Sequence, residues 1–166
     1  MTFTKNILQG RIAESLVEEL LRSAGNHVYR FGYEFVFQNI RVVADLNNEI
    51  GSHIKTFPDF LVITEKGKPY FVEVKFRREP EWWSNNDDNK LKRLNEFWKP
   101  RIILVNCSQR PYFRITEPPC YNPYIDKDKE SPARPLDEYE EFNIKSLGEK
   151  KLKDFDDLII EKYLSA

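Results

Sequence analysis

The chain has 166 residues, 40% of them hydrophobic and 32% charged, with a formal net charge of −1. That length fits one domain with its own core, and the composition is ordinary for a soluble globular protein with a high aromatic share. No run approaches the roughly 20 apolar residues of a membrane span, so membrane partners are not expected. Met1 to Lys5 carries no hydrophobic leader, and only two cysteines occur, Cys107 and Cys120, so a cytoplasmic, reducing setting is expected. With His27 and His53 the only histidines, a zinc site is poorly supported. Charge is unevenly spread: residues 1–116 hold 18 Lys+Arg against 14 Asp+Glu, and residues 117–166 hold 8 against 13. A basic front suits a polyanion on one face, with the acidic rear held away from it.

Ile7 to Ala24 reads as a helix, with Ile12, Leu16, Val17, Leu20 and Leu21 on one stripe and Gly25 at its stop. Glu14 lies off that stripe. His27 to Phe31 is a short strand candidate. Tyr33 to Leu46 mixes helical spacing with good strand residues, and a helix is favoured; Asn47 to Ser52 reads as a turn. Phe60 to Ile63 and Tyr70 to Lys75 are two strands joined by the polar turn Glu65-Lys66-Gly67-Lys68-Pro69. Arg77 to Asn89 reads as a loop, and Lys90 to Trp98 as a helix stopped by Pro100. Arg101 to Asn106 has the continuous apolar run of a strand buried on both faces, and Tyr112 to Ile115 suits an edge strand. Prolines crowd the segment from Glu117 to Asp137, an irregular arm, before a last helix over Lys150 to Leu164. The order is α-β-α-β-β-α-β(-β)-α, an α/β fold with a mixed central sheet flanked by helices.

The hairpin gathers charge at one end. If it pairs symmetrically about Gly67, Asp59 faces Lys75 and Leu61 faces Glu73, so Asp59, Glu73 and Lys75 share one face. Phe60, Val62, Val72 and Val74 take the other face and can pack against a helix. A one-residue slip would break this grouping. In the Gly67-centred pairing Asp59 and Glu73 are diagonal neighbours, their alpha carbons about 7–8 Å apart. Two carboxylates at that distance can reach one hard cation, Mg²⁺ or Mn²⁺. Such an ion helps phosphodiester hydrolysis as a Lewis acid, and Lys75 can serve the nucleophile or the charge developing on phosphorus. The plain alternative is a Lys75–Asp59 cross-strand salt bridge beside an exposed Glu73.

Pro58-Asp59 and Glu73-Val74-Lys75, set across a short hairpin, resemble the PD-(D/E)xK nuclease superfamily with its restriction-endonuclease-like fold. Gly10-Arg11-Ile12-Ala13-Glu14, the helix it opens, Gly25 and Arg30 look like the first helix of archaeal-type Holliday junction resolvases. The resemblance spans about residues 7 to 106 and implies an αβββαβ core with a C-terminal helical extension. It implies a metal-dependent deoxyribonuclease in which Asp59, Glu73 and Lys75 are catalytic. Asp59, Glu73 and Glu14 would hold Mg²⁺ or Mn²⁺, with Glu18 competing for the place of Glu14. Residues 1–116 would form the nuclease-like core, and 117–166 a Pro-rich acidic arm and helix packed on the same domain. The long stretch with Tyr33 to Leu46 inserted departs from the resolvase pattern and puts junction specificity in doubt.

Arg77, Arg78, Lys90, Lys92 and Arg93 follow the motif and could hold phosphates. Trp82 and Trp83 could stack on unpaired bases or pack under the loop. Nucleic acid is therefore the expected partner, with DNA rather than RNA, and a homodimer that cuts two strands, implied by the resemblance alone. Two other functions stay open: a non-catalytic nucleic-acid- or protein-binding module that kept the fold, and a nuclease subunit active only in a complex.

Overall fold

An amphipathic helix opens the chain because its apolar residues repeat at helical spacing and find a sheet to cover. In the computed structural model, which describes residues 3–78, 88–122 and 126–164, this helix (α1) runs from Phe3 to Ser23. Ala13, Val17, Leu20, Leu21 and Ala24 are buried along it. It ends in a Schellman turn. The Gly25 N–H bonds the Arg22 carbonyl at 3.0 Å and the Asn26 N–H bonds that of Leu21 at 3.2 Å. Gly25 sits at φ +93°, where a side chain would be strained.

Six strands form one mixed sheet in sequence order: β1 (His27–Arg30), β2 (Phe60–Ile63), β3 (Pro69–Arg77), β4 (Arg101–Asn106), β5 (Phe113–Thr116) and β6 (Arg134–Pro135). Only β3 and β4 run parallel. A parallel neighbour needs a crossover, and the described part of this one holds α5 (Asp88–Arg93) and a wider turn over Leu94–Trp98. β4 is the central strand, with Ile102 to Asn106 all buried, as its apolar run predicts.

The hairpin register differs from the Gly67-centred one by two residues. Phe60 pairs with Val72 and Val62 with Tyr70. The loop is Glu65-Lys66-Gly67, closed by Thr64 N–H to the Lys68 carbonyl at 2.9 Å and by Gly67 N–H to the Thr64 carbonyl at 2.8 Å. Gly67, at φ +82°, closes a three-residue loop rather than centring a symmetric one. Because the shift is even, each side chain keeps its face. Phe60, Val62 and Val72 pack with α1 in the main core, with Val74 against them. Glu73 and Lys75 face the other way, beside Ile102 and Leu104, their partners in the parallel ladder.

Residues 33–55 differ most from the sequence reading. The helix favoured over 33–46 is two single turns, α2 (Tyr33–Val36) and α3 (Ile40–Val43), separated by Asn39 in the left-handed region at φ 65°. No residue of α2 is buried, and Val42 and Val43 are 84% and 81% exposed. Helical spacing without a surface to bury does not sustain a long helix. The turn expected at 47–52 instead starts α4 (Glu49–Lys55). Asn48 caps it, its Oδ1 accepting the Gly51 N–H at 2.7 Å. Gly51 lies against the Leu46 backbone, so a Cβ there would collide with the Leu46 carbonyl. Gly51→Ala should cost about 1–3 kcal/mol of stability, as overpacking does; a thermal melt unchanged from the parent would contradict that close approach.

The C-terminal segment completes the domain. β6 pairs with β5, with Pro135 placed at the sheet edge where its missing N–H matters least. Short helical turns and α6 (Gly148–Ile159) follow, α6 continuing as a wider turn over Ile160–Leu164. Leu136, Tyr139, Phe142, Ile144, Phe155, Ile159 and Tyr163 are buried in the same core as α1. The Asn26 amide donates to the Phe142 carbonyl at 2.8 Å, and the Tyr163 hydroxyl to that of Gln9 at 2.7 Å. On the opposite sheet face, Leu91 of α5 packs with Ile102, Leu104 and Cys120. Among the described residues no helix is long and apolar enough to cross a membrane.

Candidate acidic site at the hairpin end

Asp59 leads into β2 on the Glu73 side of the sheet, one residue before the core-facing Phe60. Its backbone carbonyl accepts the N–H groups of Phe31 and Gly32 at 2.8 and 3.3 Å. Its carboxylate Oδ2 accepts the Val74 N–H at 2.8 Å. Continuing the observed register by one residue sets Asp59 directly opposite Glu73, closer than the diagonal expected from sequence.

Glu73 is 2% exposed. Its Oε1 lies 2.5 Å from the Lys90 ammonium of α5, whose side chain is 47% exposed. Its Oε2 is buried with no hydrogen-bond partner among the described residues. An orphaned buried carboxylate oxygen is costly and uncommon. The plain alternative expected an exposed Glu73, and that part does not hold: Glu73 is buried and Lys90 is its partner.

Glu14 and not Glu18 joins this group. Glu18 is held by Arg22 at 2.9 Å and by Arg30 at 2.7 Å. Glu14 is half-buried and feels the charge of Glu73. Burial, then Glu73, pushes its carboxyl above the usual range, with Arg30, Lys90 and Arg11 opposing. Asp59 is pushed well above its ordinary value by burial first, then by Glu73 and Glu14; Lys90 and the Val74 N–H oppose. The attraction of Glu73 raises the pKa of Lys90 against the effect of burial, with Asp59 and Glu14 adding to it. These shifts describe carboxylates that share one weakly solvated place with the Lys90 ammonium.

Lys75 is 9% exposed on the Glu73 face. Its charge reaches the Cys120 thiol, which burial nonetheless pushes up to about 11. Cys107 and Cys120 are both buried, and neither is in a disulfide. Among the described residues no three His, Cys, Asp or Glu side chains already stand as a cage for an ion. The donor set still fits one: oxygen ligands only, as Mg²⁺ and Mn²⁺ prefer, and one of those oxygens, Glu73 Oε2, has no other partner among the described residues.

The expected phosphate contacts divide. Lys90 is committed to Glu73. The Arg77 guanidinium donates to the Phe76 carbonyl at 3.0 Å, and that of Arg78 to the Tyr163 carbonyl at 3.2 Å. Lys92 and Arg93 are exposed on α5. Trp82 and Trp83 lie outside the described residues.

Two features were missed from sequence. One is Lys90 as the partner of Glu73. The other is an aromatic cluster beside the acids: Phe31 stacks on Phe57 at 5.0 Å and meets Phe71 at 5.2 Å, and Trp98 stands edge-on to all three. The period-two relation of Phe71 to Glu73 was the available signal for it. No family model, no curated protein and no solved structure matches this chain, so the reading of the acidic site rests on its own chemistry.

Proposed function

We propose that this chain is a metal-dependent endonuclease acting on DNA. The observation that carries the reading is Glu73: a carboxylate 2% exposed, with one oxygen unpartnered among the described residues, beside Asp59 and Glu14, both held above their ordinary pKa by burial and then by the charge of Glu73. Stability alone gives no reason to crowd three acids around a hairpin end, whereas a site for a divalent cation does.

Asp59, Glu73 and Glu14 would hold Mg²⁺ or Mn²⁺, which when bound supplies Lewis-acid polarisation of a phosphoryl oxygen and a more acidic water. Asp59 is fixed for that role by the Val74 N–H. Lys75, on the same face as Glu73, would stabilise negative charge developing on phosphorus. Lys92 and Arg93, exposed on α5, would meet the flanking phosphates. The order of elements supports this reading. An opening helix, three antiparallel strands, a helix and a strand parallel to the third are what the αβββαβ restriction-endonuclease-like core would require.

A second reading has its own observation. The Lys90 ammonium already lies on Glu73, as it would in a nucleic-acid-binding module whose catalytic site had been retired.

The test is to incubate the protein with single-stranded, duplex and branched DNA, with and without Mg²⁺ or Mn²⁺, beside a Glu73→Gln control. Cleavage that needs the metal and disappears in the control is the expected result. A folded protein that neither cleaves nor binds Mn²⁺ would leave the binding module.

A further inference from the structure

We propose that Lys90 is a positioning residue that serves as an exchangeable counter-cation: it stands in for the divalent ion in the metal-free protein and yields its place when the ion binds. The inference rests on the nuclease reading of the acidic site and adds to it how that site is kept and opened.

The two ends of the pair differ in freedom. Glu73 is fixed in the sheet at 2% exposure, while the Lys90 side chain is 47% exposed. A lysine reaches on a flexible four-carbon stem, so its ammonium can leave Glu73 without opening the core. The buried carboxylate cannot follow it out. Neighbouring Leu91, 2% exposed, packs with Ile102 and Leu104 and anchors α5 in place. Only the side chain has to move.

The charges give the exchange a direction. Lys90 is drawn by Glu73, Asp59 and Glu14 alike, so one ammonium partly balances three acids. A divalent ion engaging the free Glu73 Oε2 would balance them better and would repel an ammonium still resting on Oε1. Once displaced, the ammonium is no longer neutralised by Glu73 and can meet a phosphate at the mouth of the site. Metal loading would therefore add a cation to the substrate surface, and the polyanion would favour the metal-loaded state in return.

Mn²⁺ titration by calorimetry on the full chain at neutral pH tests this without any turnover, using the parent, Lys90→Gln, Lys90→Arg and Glu73→Gln. Lys90→Gln should bind Mn²⁺ about tenfold more tightly than the parent, which corresponds to about 1.4 kcal/mol of relieved repulsion. It should also melt at a lower temperature in chelator, with the deficit closing once Mn²⁺ is saturating. Lys90→Arg keeps the charge and should bind Mn²⁺ no more tightly than the parent. If Lys90→Gln does not fold, tighter binding by Lys90→Arg would itself overturn the proposal. Unchanged or weaker binding by Lys90→Gln, with binding abolished in Glu73→Gln, would overturn the exchange and leave the metal site standing. Absence of Mn²⁺ binding in the parent and in Lys90→Gln alike would remove both.

Discussion

Replacing Lys75 with methionine is expected to reduce metal-dependent DNA cleavage about 100- to 1,000-fold while Mn²⁺ binding persists. That loss is typical when one preorganised electrostatic contact to a transition state is removed. Lys75 sits two residues beyond Glu73 on the same strand face, opposite Leu104 in the parallel ladder, and is 9% exposed. Methionine keeps most of the buried stem and deletes only the charge, so the fold should survive. Single-turnover cleavage measures the effect, with Mn²⁺ calorimetry as the control. Near-parental cleavage by Lys75→Met would remove Lys75 from the chemistry. Loss of Mn²⁺ binding would mean that its charge shapes the carboxylates rather than the reaction. The two lysines of the site thus make opposite predictions: without Lys75 the metal stays and the reaction slows, and without Lys90 the metal binds more tightly.

A chain ending at Thr116 is expected not to fold, although it contains every proposed catalytic residue. Tyr139, Phe142, Ile144, Phe155, Ile159 and Tyr163 are each at most 4% exposed and belong to the core that α1 covers. Tyr139 and Phe142 stand edge to face at 5.0 Å, Tyr70 of β3 meets Phe142 at 5.5 Å, and Tyr163 stacks on Phe76 at 4.3 Å. Removing one such ring, as in Phe142→Ala, should cost about 3–5 kcal/mol. A domain of this kind has only about 5–15 kcal/mol in total, so losing all six exceeds what it can bear. Circular dichroism and a melting curve decide the matter: a cooperative transition in the 1–116 fragment would show that the C-terminal segment is dispensable.

The grouping of the charged residues on one face was legible in the sequence because it depends on parity. Strand side chains alternate, so Asp59, Glu73 and Lys75 stay together under any even shift of register. The exact partners were not legible. They turn on whether Gly67 centres the loop or closes it, a choice made by the Thr64–Lys68 bond. The ends of α1 were marked by local signals, an apolar stripe and a glycine stop. Tyr33 to Leu46 carried helical spacing too, but with no residue of α2 buried and Val42 and Val43 exposed, only short turns formed there. Lys90 escaped notice for a different reason. Its contact with Glu73 spans 17 positions, and nothing in a linear reading distinguishes it from the four other basic residues named beside it.

The two buried thiols give the molecule a built-in clock. With its pKa raised to about 11, Cys120 is about 0.01% thiolate at pH 7, and only the thiolate attacks an alkylating reagent. Cys107 is equally shut away. Alkylation of the native chain therefore waits on rare openings of the structure. A cysteine introduced on the exposed surface would react long before either natural one, so a fluorophore could be attached at a chosen position without first removing them.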